Sequence, residues 1–260
     1  MNLDYLVIIA AFILGAVAVN WWTNRPDARK KPERDAAPVH EPSHVLDFPP
    51  DPAPQNDPSP NRPLRSVSAL SSIPVTLALV AVCVAIAAYT RLGASISALE
   101  PFLIASPEDA GFRAILAGEV WRLLTPAFIH FGIIHLVFNM IWLWDLGALI
   151  ERRKGHAFLL GFVAAVGIAA NLAQFVVTGS PMFGGMSGVV YGMLGYVWMH
   201  GRVNPRFGVT LNNQTVVIML GWFAMCWLGL LGPIANWAHT AGLLMGVALG
   251  VMRTERRGPV

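Results

Sequence analysis

Long apolar runs separated by short polar or glycine-rich segments dominate the sequence. A transmembrane helix needs about 20 mostly apolar residues to cross the hydrocarbon core. Measured against that length, the runs predict seven membrane spans, at residues 4–22, 73–90, 133–150, 157–177, 187–200, 215–232 and 235–252. The fifth span is short and starts beside a Gly-Gly pair, and only Gly232 and Pro233, a helix stop, divide the sixth from the seventh. Short, interrupted spans of this kind favour a cavity within the bundle.

Composition excludes most other classes of protein. Of the 260 residues, 55% are hydrophobic and 13% are charged, against roughly 25% charged in an average soluble domain. Aromatic content of 10%, glycine without a three-residue period and two cysteines exclude disordered, collagen-like and disulfide-scaffold proteins. Cys83 and Cys226 both lie in apolar runs, which predicts buried thiols rather than a disulfide or a metal site.

The basic residues indicate topology rather than nucleic-acid binding. The net charge of +3 comes from Lys and Arg clusters that follow spans one, three, five and seven. Such clusters mark the cytoplasmic side of a membrane protein, so the four agree on one orientation with the amino terminus outside. Residues 92–132 then form an outer loop, whose many aromatic side chains predict that it lies in the membrane interface.

The same pattern divides the chain into four parts. Residues 1–22 are predicted to be an uncleaved transmembrane anchor, with a cleaved signal peptide as the alternative because Ala16-Val17-Ala18 resembles a cleavage site. Residues 23–72 hold eleven of the 19 prolines and no apolar periodicity, which predicts a proline-rich cytoplasmic linker. Residues 73–252 would form a six-helix membrane domain, and 253–260 a basic cytoplasmic tail.

Strongly polar side chains inside the spans are costly to bury in lipid and therefore point to function. Eight side chains of this kind in the spans are candidates, namely His135, Asn139, Asp145, Asn171, Gln174, Ser187, Asn236 and His239. Four share one depth near the outer ends of three spans: His135, Asn139, Ser187 and His239. His135 and Asn139 are four residues apart and so lie on one helix face.

Ser187 and His239 are predicted to form a catalytic dyad. Ser187 stands in a Gly-x-Ser-Gly tetrapeptide, which on its own serves helix packing more often than catalysis. Small residues at four-residue spacing continue along both spans, at Gly188, Gly192, Gly242, Gly246 and Gly250. They allow the two helices to pack closely and bring the serine within reach of the histidine, its general base.

Other polar groups complete this predicted site. Asp145 lies more than one turn below Asn139, so it is interpreted as structural and a Ser-His-Asp triad is not expected. Tyr191, one turn after Ser187, could stack on the histidine ring. The Asn139 amide, the His135 ring N–H and the Ser187 backbone N–H are suitable donors for an oxyanion. His130 is interpreted as a loop-packing residue.

In these residues the chain resembles the rhomboid intramembrane serine proteases. The resemblance covers residues 73–252 and rests on Glu119-Val120-Trp121-Arg122, His130 with His135 and Asn139, Gly-x-Ser-Gly at 185–188 with Tyr191, Trp222-Phe223, and Ala238-His239 followed by Gly242 and Gly246. The extra amino-terminal span and its linker match no rhomboid motif.

The resemblance implies a six-helix transmembrane core in which Ser187 is the nucleophile, His239 the general base, and His135 and Asn139 the oxyanion hole. Gly185, Gly188 and Gly242 would support the site, with Tyr191. Trp121 and Arg122 would anchor the outer loop, Glu151 would fix the cytoplasmic end of the third span, and the sixth span would be the entry gate for substrate.

Family resemblance also implies partners and location. Substrates would be single-pass membrane proteins cut at small residues in or near the bilayer, without a metal or organic cofactor. The protein would lie in a bacterial inner membrane, with its active site open to the outer side. A non-proteolytic relative that binds and delivers membrane proteins is the main alternative, but such relatives are expected to lack the serine or the histidine. A transporter or channel is a third alternative and the least favoured one, because the sequence has no inverted repeat and no paired intramembrane charges beyond Asp145.

Overall fold

The computed structural model describes residues 70–108 and 111–252, and every element of secondary structure within these ranges is helical. The predicted anchor, nearly all of the predicted linker and the basic tail lie outside the described residues. The fold class is therefore confirmed as all-helical, while the additional amino-terminal helix stays a prediction.

Six long helices follow one another in the described part of the chain. They are α1 (Pro74–Tyr89), α2 (Ile133–Lys154), α3 (His156–Thr178), α4 (Ser187–Val203), α5 (Asn213–Trp227) and α6 (Asn236–Val251). Each overlaps one predicted span. Helices α2 and α3, with 22 and 23 residues, are long and apolar enough to cross a membrane by length and composition.

One predicted boundary was wrong. Helix α5 ends at Trp227 rather than near residue 232, and residues 228–235 form an irregular connection before α6. The physical reason is a second glycine: Gly229 has φ of +71° and Gly232 has φ of +87°. Glycine adopts this left-handed conformation without steric cost, so the helix already stops before Gly232 and Pro233.

Helix α4 lies at the centre of the bundle, and α6 packs along it more extensively than any other described helix. The contact depends on the absence of side chains. A Cβ atom at Gly242 would overlap the carbonyl oxygen of Gly188, and a Cβ at Gly246 would overlap that of Gly192. The backbones therefore touch, as the spacing of small residues predicted.

Arg122 holds the outer loop in place. Its side chain is buried and donates hydrogen bonds to the carbonyl oxygens of Glu100 (2.6 Å) and Leu103 (3.0 Å). It also pairs with the carboxylates of Glu100 (3.1 Å) and Glu119. Trp121 beside it is 51% exposed. The anchoring role expected of Arg122 thus has a structural basis, while Trp121 faces outward as an interfacial side chain would.

Glu151 joins three helices at the end of the bundle opposite that loop. Its buried carboxylate accepts hydrogen bonds from the backbone N–H groups of Val75 and Thr76, both 2.8 Å, and from the Thr76 hydroxyl at 2.6 Å. These N–H groups belong to the first turn of α1, where the helix itself provides no hydrogen-bond acceptor. The ring Nδ1 of His156, at the start of α3, lies 2.7 Å from the same carboxylate.

Candidate active site

Ser187 and His239 meet where α4 and α6 touch. Ser187 is the first residue of α4, and His239 lies in the first turn of α6. The His239 Nε2 lies 2.7 Å from the Ser187 Oγ, within hydrogen-bond distance. The predicted proximity of the two side chains is confirmed, whereas their catalytic role stays a prediction.

A glycine turn presents the serine. Gly185 has φ of +125°, and its N–H donates to the carbonyl oxygen of Pro126 at 3.0 Å. A Cβ atom at this position would lie only 2.6 Å from His135 Nε2. Both the backbone conformation and the space therefore require glycine just before the helix on which Ser187 stands.

The histidine ring is held on one face by an aromatic ring. Tyr191 lies one turn after Ser187 on α4, and its ring centroid is 4.8 Å from that of His239. The Tyr191 hydroxyl donates to the carbonyl oxygen of Met219 at 3.2 Å, which ties this ring to α5. The two rings are thus in contact, but they are tilted by 43° rather than stacked.

Among the described residues, the other ring nitrogen of His239 has no acidic partner. His239 Nδ1 is buried and makes no hydrogen bond to the part of the chain that the structure describes. Asp145 is exposed and lines a separate groove between α1 and α2. This arrangement is the one expected for a dyad, in which the ring is oriented by packing rather than by a carboxylate.

Gln174 positions the helix that carries His239, a role that the sequence did not predict. Its buried side-chain oxygen accepts hydrogen bonds from the N–H groups of Trp237 (3.1 Å) and Ala238 (3.3 Å). These are unpaired donors in the first turn of α6, so the amide of α3 serves as a cap supplied from another helix. The sequence feature that could have indicated this role is the polar side chain of Gln174 at membrane depth.

His135 and Asn139 lie beside the dyad on α2. The His135 Nδ1 accepts from the Phe131 N–H at 3.3 Å, so in the neutral ring Nε2 carries the proton and is a donor. The Asn139 side-chain amide donates one hydrogen bond to the His135 carbonyl oxygen at 2.9 Å. Its second N–H is left for another acceptor. Together with the Ser187 N–H at the helix start, two side-chain donors are thus available for an anion.

His130 lies behind His135 and is fully buried in the outer loop. The two ring centroids are 5.1 Å apart, and the Nδ1 of His130 lies 3.1 Å from the carbonyl oxygen of Phe128. Burial, with His135 as a second cause, lowers the pKa of His130 to about 4, so this ring is neutral near pH 7. Its location agrees with the packing role expected from the sequence.

A cavity of about 830 Å³ opens onto these groups. Ser187, His239, His135 and Asn139 all contribute to its wall. Phe138 of α2 and Trp222 of α5 also line it, and their rings stack with centroids 5.1 Å apart. Within residues 70–108 and 111–252, no group of three or more His, Cys, Asp or Glu side chains could hold a metal ion.

Comparison with known proteins gives one consistent result. Residues 117–256 match the family model described as Rhomboid domain. Three similar relatives, from Salmonella paratyphi A, Salmonella choleraesuis and Salmonella newport, carry the name Rhomboid protease GlpG. Each is 38% identical over 144 residues, which are 55% of this chain and 52% of the relative. The chain thus spans about half the length of the curated relatives it matches.

Proposed function

This chain belongs to the rhomboid family of integral membrane proteins, and we propose that it is an intramembrane serine endopeptidase. The observation that carries the proposal is the 2.7 Å contact between Ser187 Oγ and His239 Nε2 at the wall of a cavity. The proteins named rhomboid protease among its relatives support the same activity.

Acylation would begin with Ser187. Its Oγ attacks the carbonyl carbon of the scissile peptide bond while His239 Nε2 accepts the hydroxyl proton. Neutral imidazole suits this step because an unaided serine hydroxyl is a poor nucleophile near pH 7. The imidazolium then gives the proton to the leaving amine nitrogen, the C–N bond breaks, and an ester of Ser187 remains.

Deacylation repeats the sequence with water. His239 takes a proton from the water, whose oxygen attacks the ester carbonyl, and returns the proton to Ser187 as the carboxylic acid leaves. In both steps the oxyanion would be bound by His135 Nε2–H, the free amide proton of Asn139 and the Ser187 N–H. Each such donor can contribute about 2.7–4 kcal/mol to the transition state.

Substrates in this proposal are single-pass membrane proteins. The cavity wall combines the polar catalytic groups with apolar side chains such as Phe138 and Trp222, which suits a peptide segment that leaves lipid. We place the six helices across a bacterial inner membrane with the cavity open to the outer side, because the Lys and Arg clusters assign the opposite ends to the cytoplasm.

The test is cleavage of a model single-pass substrate by the detergent-purified protein. Ser187→Ala and His239→Ala should each abolish cleavage. Matched controls are Ser97→Ala in the outer loop and His156→Ala, whose side chain is 56% exposed at the opposite end of the bundle. Both controls should retain activity, and thermal unfolding should show that all four variants are folded.

Two outcomes would refute the proposal. Cleavage that survives Ser187→Ala would mean that another group is the nucleophile. No cleavage by the unmodified protein across several substrates, together with retained binding of those substrates, would favour a non-proteolytic binding or delivery factor.

A further inference from the structure

Two buried polar atoms in the first turn of α6 have no hydrogen-bond partner within residues 70–108 and 111–252. They are the Oδ1 of Asn236 and the Nδ1 of His239. A polar atom that is shielded from water and left unpaired costs free energy, so each such atom in a folded protein needs an explanation. The two atoms are complementary, because an amide oxygen only accepts a hydrogen bond, whereas Nδ1 of a histidine can donate one.

We propose that Asn236 is a positioning residue for His239, whose Nδ1–H donates a hydrogen bond to Asn236 Oδ1 when the ring takes the proton of Ser187. The inference rests on the proposed serine endopeptidase activity and deepens it, because it names the group that orients the general base. Asn236 is one of the eight polar candidates in the spans, and the site described above leaves it without a role.

The proton on Nδ1 follows from the contact at the other ring nitrogen. Ser187 Oγ lies 2.7 Å from His239 Nε2, and Nε2 must be unprotonated to accept the serine proton. In the neutral ring the proton therefore resides on Nδ1. After the transfer the buried ring is an imidazolium with a donor at each nitrogen. The free-energy cost of an unpaired Nδ1–H is thus greatest when Ser187 attacks the peptide bond.

Helix geometry makes the two side chains neighbours. Residues three apart on a helix have Cβ atoms about 5–6 Å from each other. Side chains also lean towards the amino-terminal end of their helix, which directs the side chain of His239 over the turn that begins at Asn236. Catalytic hydrogen bonds are often long or poorly aligned in a free enzyme and tighten during the reaction. Rotation about the side-chain torsions would align this donor with its acceptor.

The Asn236 amide is fixed in the orientation that this role requires. Its Nδ2 donates a hydrogen bond to the carbonyl oxygen of Cys226 at 3.2 Å, in the last turn of α5. The reverse orientation would set the amide oxygen against that carbonyl oxygen, with no proton between them. Cys226 and His239 line the same cavity. The hydrogen bond thus holds Nδ2 towards α5 and leaves Oδ1 for the histidine.

Two substitutions separate the roles of the two amide atoms. Asn236→Asp keeps an acceptor oxygen and loses the Nδ2 donor, whereas Asn236→Leu loses both. Both variants lose the bond to Cys226 and should unfold at a lower temperature than the unmodified protein, but only Asn236→Leu should slow the reaction. Asn213 provides the matched control, because it is exposed and is likewise the first residue of its helix, α5. Asn213→Asp and Asn213→Leu should leave the rate unchanged.

The measurement is the initial rate of cleavage of a model single-pass substrate as a function of substrate concentration, for each variant at its optimum pH. We expect Asn236→Leu to lower kcat about tenfold, a modest part of the roughly 10²–10⁴-fold that a general base contributes. Its KM should stay within about twofold, and Asn236→Asp should keep kcat within about threefold. Labelling of Ser187 by a serine-reactive fluorophosphonate should follow the same order, since it needs the activated serine but no bound peptide.

Three results would overturn the inference while the proposed function stands. A kcat of Asn236→Leu within about twofold of that of the unmodified protein would show that Nδ1 needs no acceptor. Equal slowing by Asn236→Asp and Asn236→Leu would assign the effect to the bond with Cys226. A raised KM at unchanged kcat would place Asn236 in substrate binding. Absence of both cleavage and labelling in the unmodified protein would instead refute the proposed function, and this inference with it.

Discussion

Replacing Gly242 by alanine would place a methyl group against the backbone of Gly188, at the point where α4 and α6 touch. The new Cβ would lie 2.8 Å from the carbonyl carbon of Gly188, whereas carbon atoms in contact normally lie about 3.5–4.0 Å apart. The helices must therefore separate by about 1 Å. Ser187 precedes Gly188 and His239 lies three residues before Gly242, so the shift acts directly on their 2.7 Å contact.

The expected result is a large loss of activity in a folded protein. A misplacement of about 1 Å between catalytic groups can reduce the rate about 100-fold, and overpacking costs about 1–3 kcal/mol of stability. The measurement is the initial rate of cleavage of a model single-pass substrate, together with labelling of Ser187 by a serine-reactive fluorophosphonate. Thermal unfolding reports the change in stability.

Gly161→Ala is the matched control. Gly161 lies inside α3, and a Cβ atom there meets nothing within 4 Å. The same substitution should leave the rate unchanged, and alanine is the better helix former by about 0.5–1 kcal/mol. If Gly242→Ala cleaved and labelled within threefold of the unmodified protein, the backbone contact would not be what positions the dyad.

Three further substitutions test other parts of the site. Arg122→Ala leaves two loop carbonyl groups without their donor and should lower stability by about 3 kcal/mol in a denaturation assay. Gln174→Leu removes the cap of α6, and it should cost about 2 kcal/mol of stability and slow cleavage. Tyr191→Ala should slow cleavage about tenfold because the ring against His239 is lost, whereas Tyr191→Phe keeps that ring and most of the rate.

Each has an outcome that would contradict it. Arg122→Lys cannot reproduce the forked contacts, so full stability of that variant would show that charge alone anchors the loop. Wild-type stability of Gln174→Leu would mean that the two N–H groups find other partners. Equal rates for Tyr191→Ala and Tyr191→Phe would exclude a role for the ring.

The six described helices and the meeting of Ser187 with His239 could be predicted because both depend on spacing along the chain. Hydropathy over about 20 residues defines a span, and glycines at four-residue intervals define a face that admits another backbone. The depth of Ser187 and His239 followed from their positions within the spans. Nothing in these arguments required knowledge of side-chain contacts.

The sequence could not predict contacts between distant segments. Gln174 caps α6 from α3, across 63 residues, and Glu151 caps α1 from α2, across 75. A polar residue at membrane depth indicates that a partner exists but does not identify it. The early end of α5 was missed for a related reason, since either glycine in residues 228–235 could stop a helix and the sequence does not indicate which one does.

The direct backbone contact between α4 and α6 links the stability of the helix pair to the rate of the proposed cleavage reaction. Dispersion attraction acts over a short range, and lipid does not drive apolar helices together as water does. A small separation of the two helices therefore loses much of the attraction that holds them together. In the proposed mechanism, a substitution that changes the fit of these helices also changes the distance between Ser187 and His239, so tolerance to heat and speed of cleavage are expected to change together along this line of glycines.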